Sequence, residues 1–579
     1  MSTSRTPRYQ FVARPLPPNW SQVQAELGVD PILGRILASR GVVSESDTSL
    51  RLSELLPPDG LEGIQNAAAR LVHAIQNDEL ILIAGDFDAD GATASALCVL
   101  MLRDYGAKRV ESVVPDRFRF GYGLSKGFVQ SLLVKKPKVI VTVDNGISSN
   151  EGVQFARDNG IDTIITDHHL PPEELPAASA IVNPQLSKSS FASTPAGVGV
   201  AFYVMVEVRR QLRALNHFEE KQIPEPKVAD YLDLVALGTV VDLVPLDRNN
   251  RILVANGLNR MRRRRTRPGI IALCEIARVR LEQIDAEDLG YRLGPRLNAA
   301  GRLEDISIGI QALLTSNLGD ARIHVGRLNE INAERQQMQQ EMTEVAHRYL
   351  DSLTNLDRPG VCVHDQSFHE GIVGLIASQV VGRLNRPAVV FADAQDGLAE
   401  YIKGSARSVA NIHIRDVLAD IDSQYPNLLI SYGGHAMAAG VTIHKASFER
   451  FSSLFEKAVA ARAASETFSD VLYTDGKLDD EYLTLQLVRS INDWGPWGKD
   501  FDPPLFHGSF DIVNQQVVGK GRHLKMVLKQ HRKLVDAIAF NHGSIDAERV
   551  EVAYRPTGNS FRGSTTLQLV VECVQPETT

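Results

Sequence analysis

Cysteine is scarce in this chain of 579 residues, which has no CxxC spacing and only Cys98, Cys274, Cys362 and Cys573. Such scattered cysteines argue against a disulfide framework and a structural zinc site, and they favour a reducing compartment. The sequence also lacks any run of about 18 apolar residues. Its first 25 residues contain no acids and no apolar h-region of a signal peptide. We therefore expect a cytoplasmic protein with no membrane segment; the alternative for this start is a transit peptide.

The chain also has no excess of basic residues. The chain has 62 Lys and Arg against 70 Asp and Glu, a formal net charge of −8. The whole-chain charge therefore gives no attraction for nucleic acid, and any polyanion must bind in a locally basic groove. Residues 260–267 contain six arginines, a pattern that is more often a solvated face than a nucleic-acid contact.

The overall composition is that of a globular protein with several cores. Hydrophobic residues make up 44% and charged residues 23%, which excludes wholesale disorder and collagen-like structure. At roughly 150 residues per domain, the length predicts about four units. We divide the chain into an irregular N-terminal extension, a large α/β domain, a connecting helix, a second α/β domain and a β-rich module, at residues 1–75, 76–315, 316–356, 357–465 and 466–579.

From about residue 80, short apolar runs alternate with helical stretches. This alternation predicts a parallel sheet with helices on both faces. A mostly helical stretch follows over 196–315. Apolar residues that recur every three or four positions predict a long helix over 318–350. At about 45 Å such a helix can bridge two lobes; its pattern resembles a coiled-coil seam interrupted by Arg335. The shorter predicted strands are 80–85, 109–114, 139–143, 163–166, 388–391, 525–528 and 567–571, and the shorter predicted helices are 92–105 and 368–384.

Carboxylates follow the first predicted strand at every second position. Asp86, Asp88 and Asp90 repel one another unless a cation, a strong donor set or protonation relieves the repulsion. A solvated acidic turn and an EF-hand calcium loop are the alternatives. An EF-hand needs a preceding helix and a glutamate at position 12, where this chain has Leu97. Calcium is therefore disfavoured.

Other predicted elements end in residues of the same kind. Asp144-Asn-Gly146 and Asp167-His-His169 each follow a strand, and Asp242 follows the apolar stretch 234–241. Because ligands gather at the carboxyl ends of strands in an open parallel sheet, we expect these residues to share one crevice. Oxygen ligands with one or two imidazoles suit Mn²⁺ or Mg²⁺. The number of carboxylates predicts two ions, an arrangement that supports phosphoryl hydrolysis.

Together these motifs resemble the DHH phosphoesterase superfamily, which is named for the Asp-His-His sequence found here at 167–169. Residues 86–91, 144–146 and Asp242 are similar to its first, second and fourth motifs. Residues 433–440 are similar to the glycine-rich signature of the DHH-associated second domain, DHHA1. Within the superfamily, segments 293–302, 369–374 and 495–498 resemble the single-stranded-DNA-specific exonucleases. The matches cover about residues 80–540.

The resemblance implies an α/β fold with a parallel-sheet DHH lobe and a smaller DHHA1-like lobe joined by a long helix, followed by a C-terminal OB-like β barrel. It implies hydrolysis of single-stranded DNA from a 5′ end, in DNA repair and recombination, with a single-stranded-DNA-binding protein and a helicase as protein partners. His169 would contact the scissile phosphate, and Asp86 would be a ligand or a base. The implied ligands of two Mn²⁺ or Mg²⁺ ions are Asp88, Asp90, Asp144, His168 and Asp242.

The DNA would need contacts at its terminal phosphate and along its bases. Arginines fork onto phosphates, and glycines let the backbone approach them. The phosphate candidates are Arg117, Arg119, Arg296, Arg302, Ser405, Arg407, Gly433, Gly434 and His435. Stacking and charge in the C-terminal module would hold a single strand. Because aromatics of a small barrel are more often core, we expect two of the four aromatic candidates to be exposed. The candidates there are Trp494, Trp497, Phe501, Phe506, Lys520, Arg522 and Lys525.

Two other functions stay open from the residues alone. A phosphodiesterase acting on very short oligonucleotides or cyclic dinucleotides, or an inorganic pyrophosphatase, would not need the C-terminal module. A catalytically silent scaffold would keep the fold and bind no metal.

Overall fold

The computed structural model describes residues 9–352, 358–394, 400–463, 471–519, 521, 523–561 and 564–577. Within these ranges, no helix combines the length and the apolar character needed to cross a membrane.

The N-terminal segment is structured, so the expectation of an irregular extension is wrong. It contains β1 (Gln10–Ala13), α1 (Trp20–Leu27), α2 (Pro31–Ala38) and α3 (Ile64–Gln76). Apolar residues of α2 join the core of the C-terminal barrel, whereas α3 packs into the core of the first lobe. Helices α1 and α2, of eight residues each, give little periodicity in the sequence, and this segment is stable because it packs between two larger units.

The sheet of the first lobe is parallel, as expected, and its strand order is β3-β2-β4-β5-β6. Ile81 and Ile83 enter the core on one face, and Leu82 and Ala84 the core on the other. Burial on both faces explains the continuous apolar runs. The strands are β2 (Ile81–Gly85), β3 (Val110–Val113), β4 (Val139–Val143), β5 (Asp162–Thr166) and β6 (Ala180–Val182), and the helices among them are α4 (Ala89–Asp104), α5 (Arg117–Phe120), α6 (Lys126–Leu132) and α7 (Asn150–Asp158).

A helical layer completes the first lobe. The arginine run at its centre is largely engaged within the protein: Arg267 forms a buried ion pair with Asp233 at 2.8 Å, and Arg260 pairs with Asp230 at 2.8 Å. The layer contains α8 (Gly197–Ala214), α9 (His217–Glu220), α10 (Leu232–Val241), α11 (Arg248–Arg262), α12 (Pro268–Ala277), a π-helical turn (Asp288–Leu293), α13 (Gly294–Leu303) and α14 (Ser307–Leu314).

The long helix α15 (Leu318–Ser352) joins the two lobes, as expected from the apolar spacing. Leu328 and Ile331 in its first half lie in the core of the first lobe, and Met342 and Leu350 lie in the core of the second. The apolar stripe therefore packs against two successive domains.

A mixed sheet forms the second lobe in the order β10-β11-β9-β8-β7; β7 and β8 are parallel and the other neighbours antiparallel. The helix predicted over 368–384 begins at Val373, because the residues before it form a turn against the first lobe. The elements are β7 (Val361–His364), α16 (Val373–Leu384), β8 (Ala388–Asp393), β9 (Tyr401–Arg407), α17 (Ile414–Gln424), β10 (Leu429–Gly434), β11 (Ala438–His444) and α18 (Phe448–Ala463).

A closed barrel in the order β13-β14-β15-β17-β16 ends the chain and confirms the predicted OB-like module. Before it, β12 (Val471–Thr474) pairs in parallel with β1, and Arg40 contacts Asp475 at 2.6 Å in a fully buried ion pair. These contacts fix the barrel to the N-terminal segment. The remaining elements are α19 (Leu485–Asp493), β13 (Phe506–Val518), β14 (His523–Gln530), β15 (Lys533–Phe540), β16 (Arg549–Phe561) and β17 (Ser564–Pro576).

Candidate metal centre and active site

The predicted acidic and imidazole residues meet at the carboxyl edge of the first sheet. Its strand order reverses between β2 and β4, and such a switch point opens a crevice for ligands. Among the residues that the structure describes, three groups of side chains have ligand atoms within 4.8 Å of one another: Asp86 with Asp88 and Asp144, Asp90 with His168 and Asp242, and Asp144 with His168 and His169.

The start of α4 presents the first carboxylates. Asp88 caps this helix by accepting a hydrogen bond from the Gly91 N–H at 3.0 Å. Asp90 lies in the first turn, is buried, and accepts from the Gly197 and Val198 N–H groups at 2.6 and 2.9 Å. The N-terminus of α8 thus holds Asp90 and favours its charged form.

Asp144 occupies the centre of the cluster in a left-handed backbone conformation, with φ of 62°. Its Oδ1 lies 3.0 Å from Nε2 of His168, which lies 3.5 Å from Oδ2 of Asp242. A Cβ at Gly197 would sit 2.4 Å from the Cβ of Asp144, so this close approach requires glycine. Tertiary packing therefore fixes a strained aspartate where three chain segments converge.

Burial and mutual repulsion disfavour the charged forms in this cluster. Burial and Asp90 raise the pKa of Asp144 and of Asp242 well above the ordinary value, and burial and Asp88 raise the pKa of Asp90 to about 7. Burial lowers the pKa of His168 to about 4, so its imidazole is neutral near pH 7. Such a set is stable in its charged form only with a cation among the carboxylates.

The residues present fit a hard divalent cation. Carboxylate oxygens with a neutral imidazole are the donors that suit Mn²⁺ and also accept Mg²⁺. Oδ1 of Asp144 and Nε2 of His168 are buried and, apart from the contacts within this cluster, have no hydrogen-bond partner within the described ranges. Asp144 and His168 each belong to two of the three groups, which is the sharing that two adjacent ions require.

A pH-dependent stability follows for the metal-free protein. A carboxyl group whose pKa rises on folding favours the folded state at low pH, and this contribution is lost as the pH rises through the pKa of the folded state. For Asp90, folding raises the pKa from 3.8 to about 7, so the loss occurs between these pH values. We expect thermal unfolding in EDTA to occur at lower temperature at about pH 8 than at about pH 5, with the Mn²⁺-induced rise in Tm larger at the higher pH. A Mn²⁺ effect that is equal at both pH values would contradict this expectation.

His169 is oriented by the first residue of its own motif. Oδ1 of Asp167 contacts Nδ1 of His169 at 2.7 Å and accepts the N–H groups of His168 and His169, while its Oδ2 accepts the Ile147 N–H at 3.0 Å. Burial alone would lower the pKa of His169, but Asp167 raises it above the ordinary value. With Nδ1 engaged, Nε2 is the nitrogen that can donate to a substrate.

The second lobe faces this centre. The ring of His435, in the turn between β10 and β11, stacks on the ring of His169 with centroids 6.2 Å apart. Gly433 and Gly434 precede it at the end of β10. The glycine-rich signature therefore lies against the metal centre, although the two segments are far apart in sequence.

Two other candidates lie together on β9. Nη1 of Arg407 donates to Oγ of Ser405 at 2.9 Å, and Gly374 packs beside both side chains. Arg302 reaches the same lobe, since its Nη1 donates to the Gly371 carbonyl at 3.3 Å. These residues form a polar surface on the second-lobe side.

Two further arginines predicted to hold phosphate have other neighbours. Arg296 donates to Oδ1 of Asn329 on the long helix at 3.1 Å and to the Arg292 carbonyl. Arg119 lies over the ring of Phe120. The side chain of Arg117 lies outside the described part of the chain.

Three of the four aromatic candidates, Trp494, Trp497 and Phe501, pack against the core of the first lobe, whereas Phe506 lies in the barrel core. Phe501 and Phe506 are 4% and 1% exposed, so these two of the four aromatics are core residues and offer no exposed stacking face. Trp494 and Trp497 are half-buried and pack against the cores of both units. Trp497 also stacks on Phe501 at 4.9 Å and donates to the Ile491 carbonyl at 2.9 Å. Lys525 is exposed on β14, and Lys520 and Arg522 lie outside the described residues.

Sequence reasoning missed some residues that shape the centre. The motif identifies Asp167 by position but does not show that its carboxylate orients His169. The Tyr122 hydroxyl lies 3.4 Å from Nδ1 of His169 and donates to the Asp144 carbonyl at 3.3 Å. The flanking Gly121 and Gly123 were a signal that the sequence offered for this residue, and both glycines have positive φ in the structure.

Known proteins share both the sequence and the fold. The single-stranded-DNA-specific exonuclease RecJ of Haemophilus influenzae is 42% identical over 558 residues, covering 94% of this chain and 96% of that protein. The crystal structure of RecJ in complex with Mn²⁺ from Thermus thermophilus matches with a TM-score of 0.82 at 28% identity, covering 99% of this chain and 80% of that one. The corresponding Mg²⁺ complex matches with a TM-score of 0.76 at 27% identity, covering 99% and 79%.

Family models match along the whole order of domains. The N-terminal domain of the DHH family matches residues 80–239, the DHHA1 domain residues 358–461 and the RecJ OB domain residues 474–573. A DHH lobe with an acidic and imidazole centre, followed by a DHHA1 lobe, defines a DHH-superfamily phosphoesterase. With the OB domain and the 42% identity added, the chain belongs to the RecJ family.

Proposed function

We propose that this protein is a Mn²⁺- or Mg²⁺-dependent exonuclease specific for single-stranded DNA, which degrades a strand from 5′ to 3′ in DNA repair and recombination. The observation that carries the proposal is the convergence of three metal-ligand groups opposite the glycine-rich turn of the second lobe. The named activity of the RecJ relatives supports it. Every position where a metal ligand is expected has an aspartate or a histidine, which disfavours a catalytically inactive scaffold.

The side chains divide the work at the scissile bond. Asp88, Asp90, Asp144, His168 and Asp242 would hold two divalent ions. When bound, these ions would polarise the phosphate and activate water. Asp167 raises the pKa of His169 and so favours its charged form, and His169 would donate from Nε2 to a phosphate oxygen and stabilise the charge that develops there. Asp86 would be a further ligand or a base.

Strand end and strandedness would be selected by the second lobe. A terminal 5′ phosphate carries more charge than an internal diester, so a polar surface of Arg302, Ser405 and Arg407 would favour it. Backbone at Gly433 and Gly434 can approach a phosphate closely. The cleft between the lobes would admit one strand and exclude a duplex by its width.

The remaining assignments follow from the same proposal. The five segments that we set from the sequence would serve as extension, catalytic domain, connector, substrate-binding domain and OB-fold nucleic-acid-binding domain. Free cysteines, three of them buried, support a reducing compartment, and we place the protein in the cytoplasm. A single-stranded-DNA-binding protein and a helicase are the proposed protein partners.

Digestion of one labelled strand tests polarity, strandedness and metal need together. We expect a single strand with a 5′ phosphate to be shortened from that end in Mn²⁺. The matching duplex and the EDTA reaction should stay intact, and removal of the 5′ phosphate should slow the reaction. Shortening from the 3′ end, or equal rates on the duplex, would contradict the proposal. Faster turnover of dinucleotides than of long strands would favour the short-oligonucleotide phosphodiesterase.

A further inference from the structure

Helix α13 supports the loop that carries the first three carboxylates. We call residues 86–91 the metal loop. The Ala89 N–H in this loop donates to Oδ1 of Asn298 at 2.8 Å. Ala89 is the first residue of α4, where N–H groups have no partner inside the helix. The acceptor therefore fixes the backbone between Asp88 and Asp90.

The same helix face makes a second contact with the metal loop. Gly301 lies one turn after Asn298, on the same side of α13. A Cβ at Gly301 would sit 1.6 Å from the carbonyl oxygen of Phe87, which is impossible without displacing the metal loop. The contact of Gly301 with Phe87 and the hydrogen bond of Asn298 with Ala89 thus hold the backbone on both sides of Asp88.

The end of α13 is wedged against the second lobe. A Cβ at Gly371 would sit 2.2 Å from the Arg302 carbonyl oxygen. Three residues later, Gly374 packs against Ser405 and Arg407. Helix α13 therefore contacts the metal loop through Asn298 and Gly301 and the second lobe through Arg302.

We propose that Asn298 is a positioning residue which, together with Gly301, holds the metal loop in the geometry that binds the ions. The proposal rests on the proposed function for its link to catalysis. The physical reason is the repulsion among Asp86, Asp88 and Asp90, which favours an open loop unless the backbone is held from outside. Outer residues that orient metal ligands commonly set the affinity for the metal.

The test compares Mn²⁺ binding by calorimetry in two substitutions at one position. Asn298→Leu removes the acceptor and is expected to raise the Mn²⁺ dissociation constant by about 10-fold to 100-fold. Asn298→Asp keeps an acceptor oxygen and should restore most of the affinity. At saturating Mn²⁺, KM for DNA should be unchanged in both variants, because the second-lobe contacts remain. A wild-type Mn²⁺ affinity in Asn298→Leu would overturn the proposal.

Two further variants separate positioning from general stability. Asn256→Leu removes a half-buried amide on α11 that donates to the Leu50 carbonyl, and it should lower Tm without changing Mn²⁺ affinity. Gly301→Ala should weaken Mn²⁺ binding as Asn298→Leu does, and it replaces that variant if Asn298→Leu does not fold. Unchanged Mn²⁺ affinity in Gly301→Ala would also count against the proposal. Normal Mn²⁺ binding by the wild type without nuclease activity would refute the proposed function instead.

Discussion

Asp144→Asn is expected to lower kcat on single-stranded DNA by roughly 10³-fold, while the protein stays folded. Asp144 belongs to two of the three ligand groups, so its loss removes a shared oxygen ligand and weakens the site for both ions. Stabilisation of transition-state charge by a metal ion is worth several kcal/mol, and about 4 kcal/mol corresponds to this change in rate. Initial rates in Mn²⁺ measure the fall in kcat, and circular dichroism checks that the variant is folded.

Asparagine is the appropriate replacement because of the backbone at this position. The φ of 62° lies in the left-handed region, which Asn tolerates and Ala does not. The neutral amide also removes repulsion with Asp90 and Asp242, so the metal-free variant should be at least as stable as the wild type. Its Mn²⁺-induced rise in Tm should be lost.

A matched control exists on the same sheet. Asp162 begins β5 at the opposite edge and pairs with Arg70 at 2.6 Å, with half of its side chain exposed. Asp162→Asn should change stability by less than about 1 kcal/mol and leave kcat and Mn²⁺ binding unchanged. Appreciable nuclease activity in Asp144→Asn would refute the assignment of the metal centre.

His169→Gln is expected to lower kcat by about 10²-fold to 10³-fold while Mn²⁺ affinity is retained. Asp167 favours the charged form of this imidazole, and a neutral amide cannot supply a charge-assisted hydrogen bond to a phosphate. Single-turnover rates at saturating Mn²⁺, together with calorimetry of Mn²⁺ binding, distinguish the two effects. A large loss of Mn²⁺ affinity would instead make His169 a metal ligand, and an unchanged kcat would remove it from the reaction.

His168→Gln provides the comparison for this prediction. His168 lies one residue earlier and shares the same cluster, but its Nε2 faces Asp144 and Asp242. We expect this variant to lose Mn²⁺ affinity, which His169→Gln should not. The neighbouring histidines would then be separated into one that holds metal and one that contacts phosphate.

The elements that periodicity predicted well are those with strong local patterns. Strand 139–143 was predicted at the bounds that β4 has, because five residues buried on both faces lie between charged neighbours. The long helix was predicted because its apolar spacing continues over many turns. By contrast, α1 and α2 have only eight residues each, and the start of α16 depends on a turn packed against the first lobe, so these elements have no sufficient local signal.

The amino-acid sequence by itself determined the kinds of ligand, their positions after strands and the order of the lobes, since these depend on residue type and local spacing. Only the tertiary structure decided which ligands share Asp144, how His435 meets His169 across the lobes, and that Phe501 and Phe506 are buried. The support of Ala89 by Asn298 joins residues 209 positions apart. Contacts of that range are set by the packing of whole elements, which leaves no local pattern in the sequence.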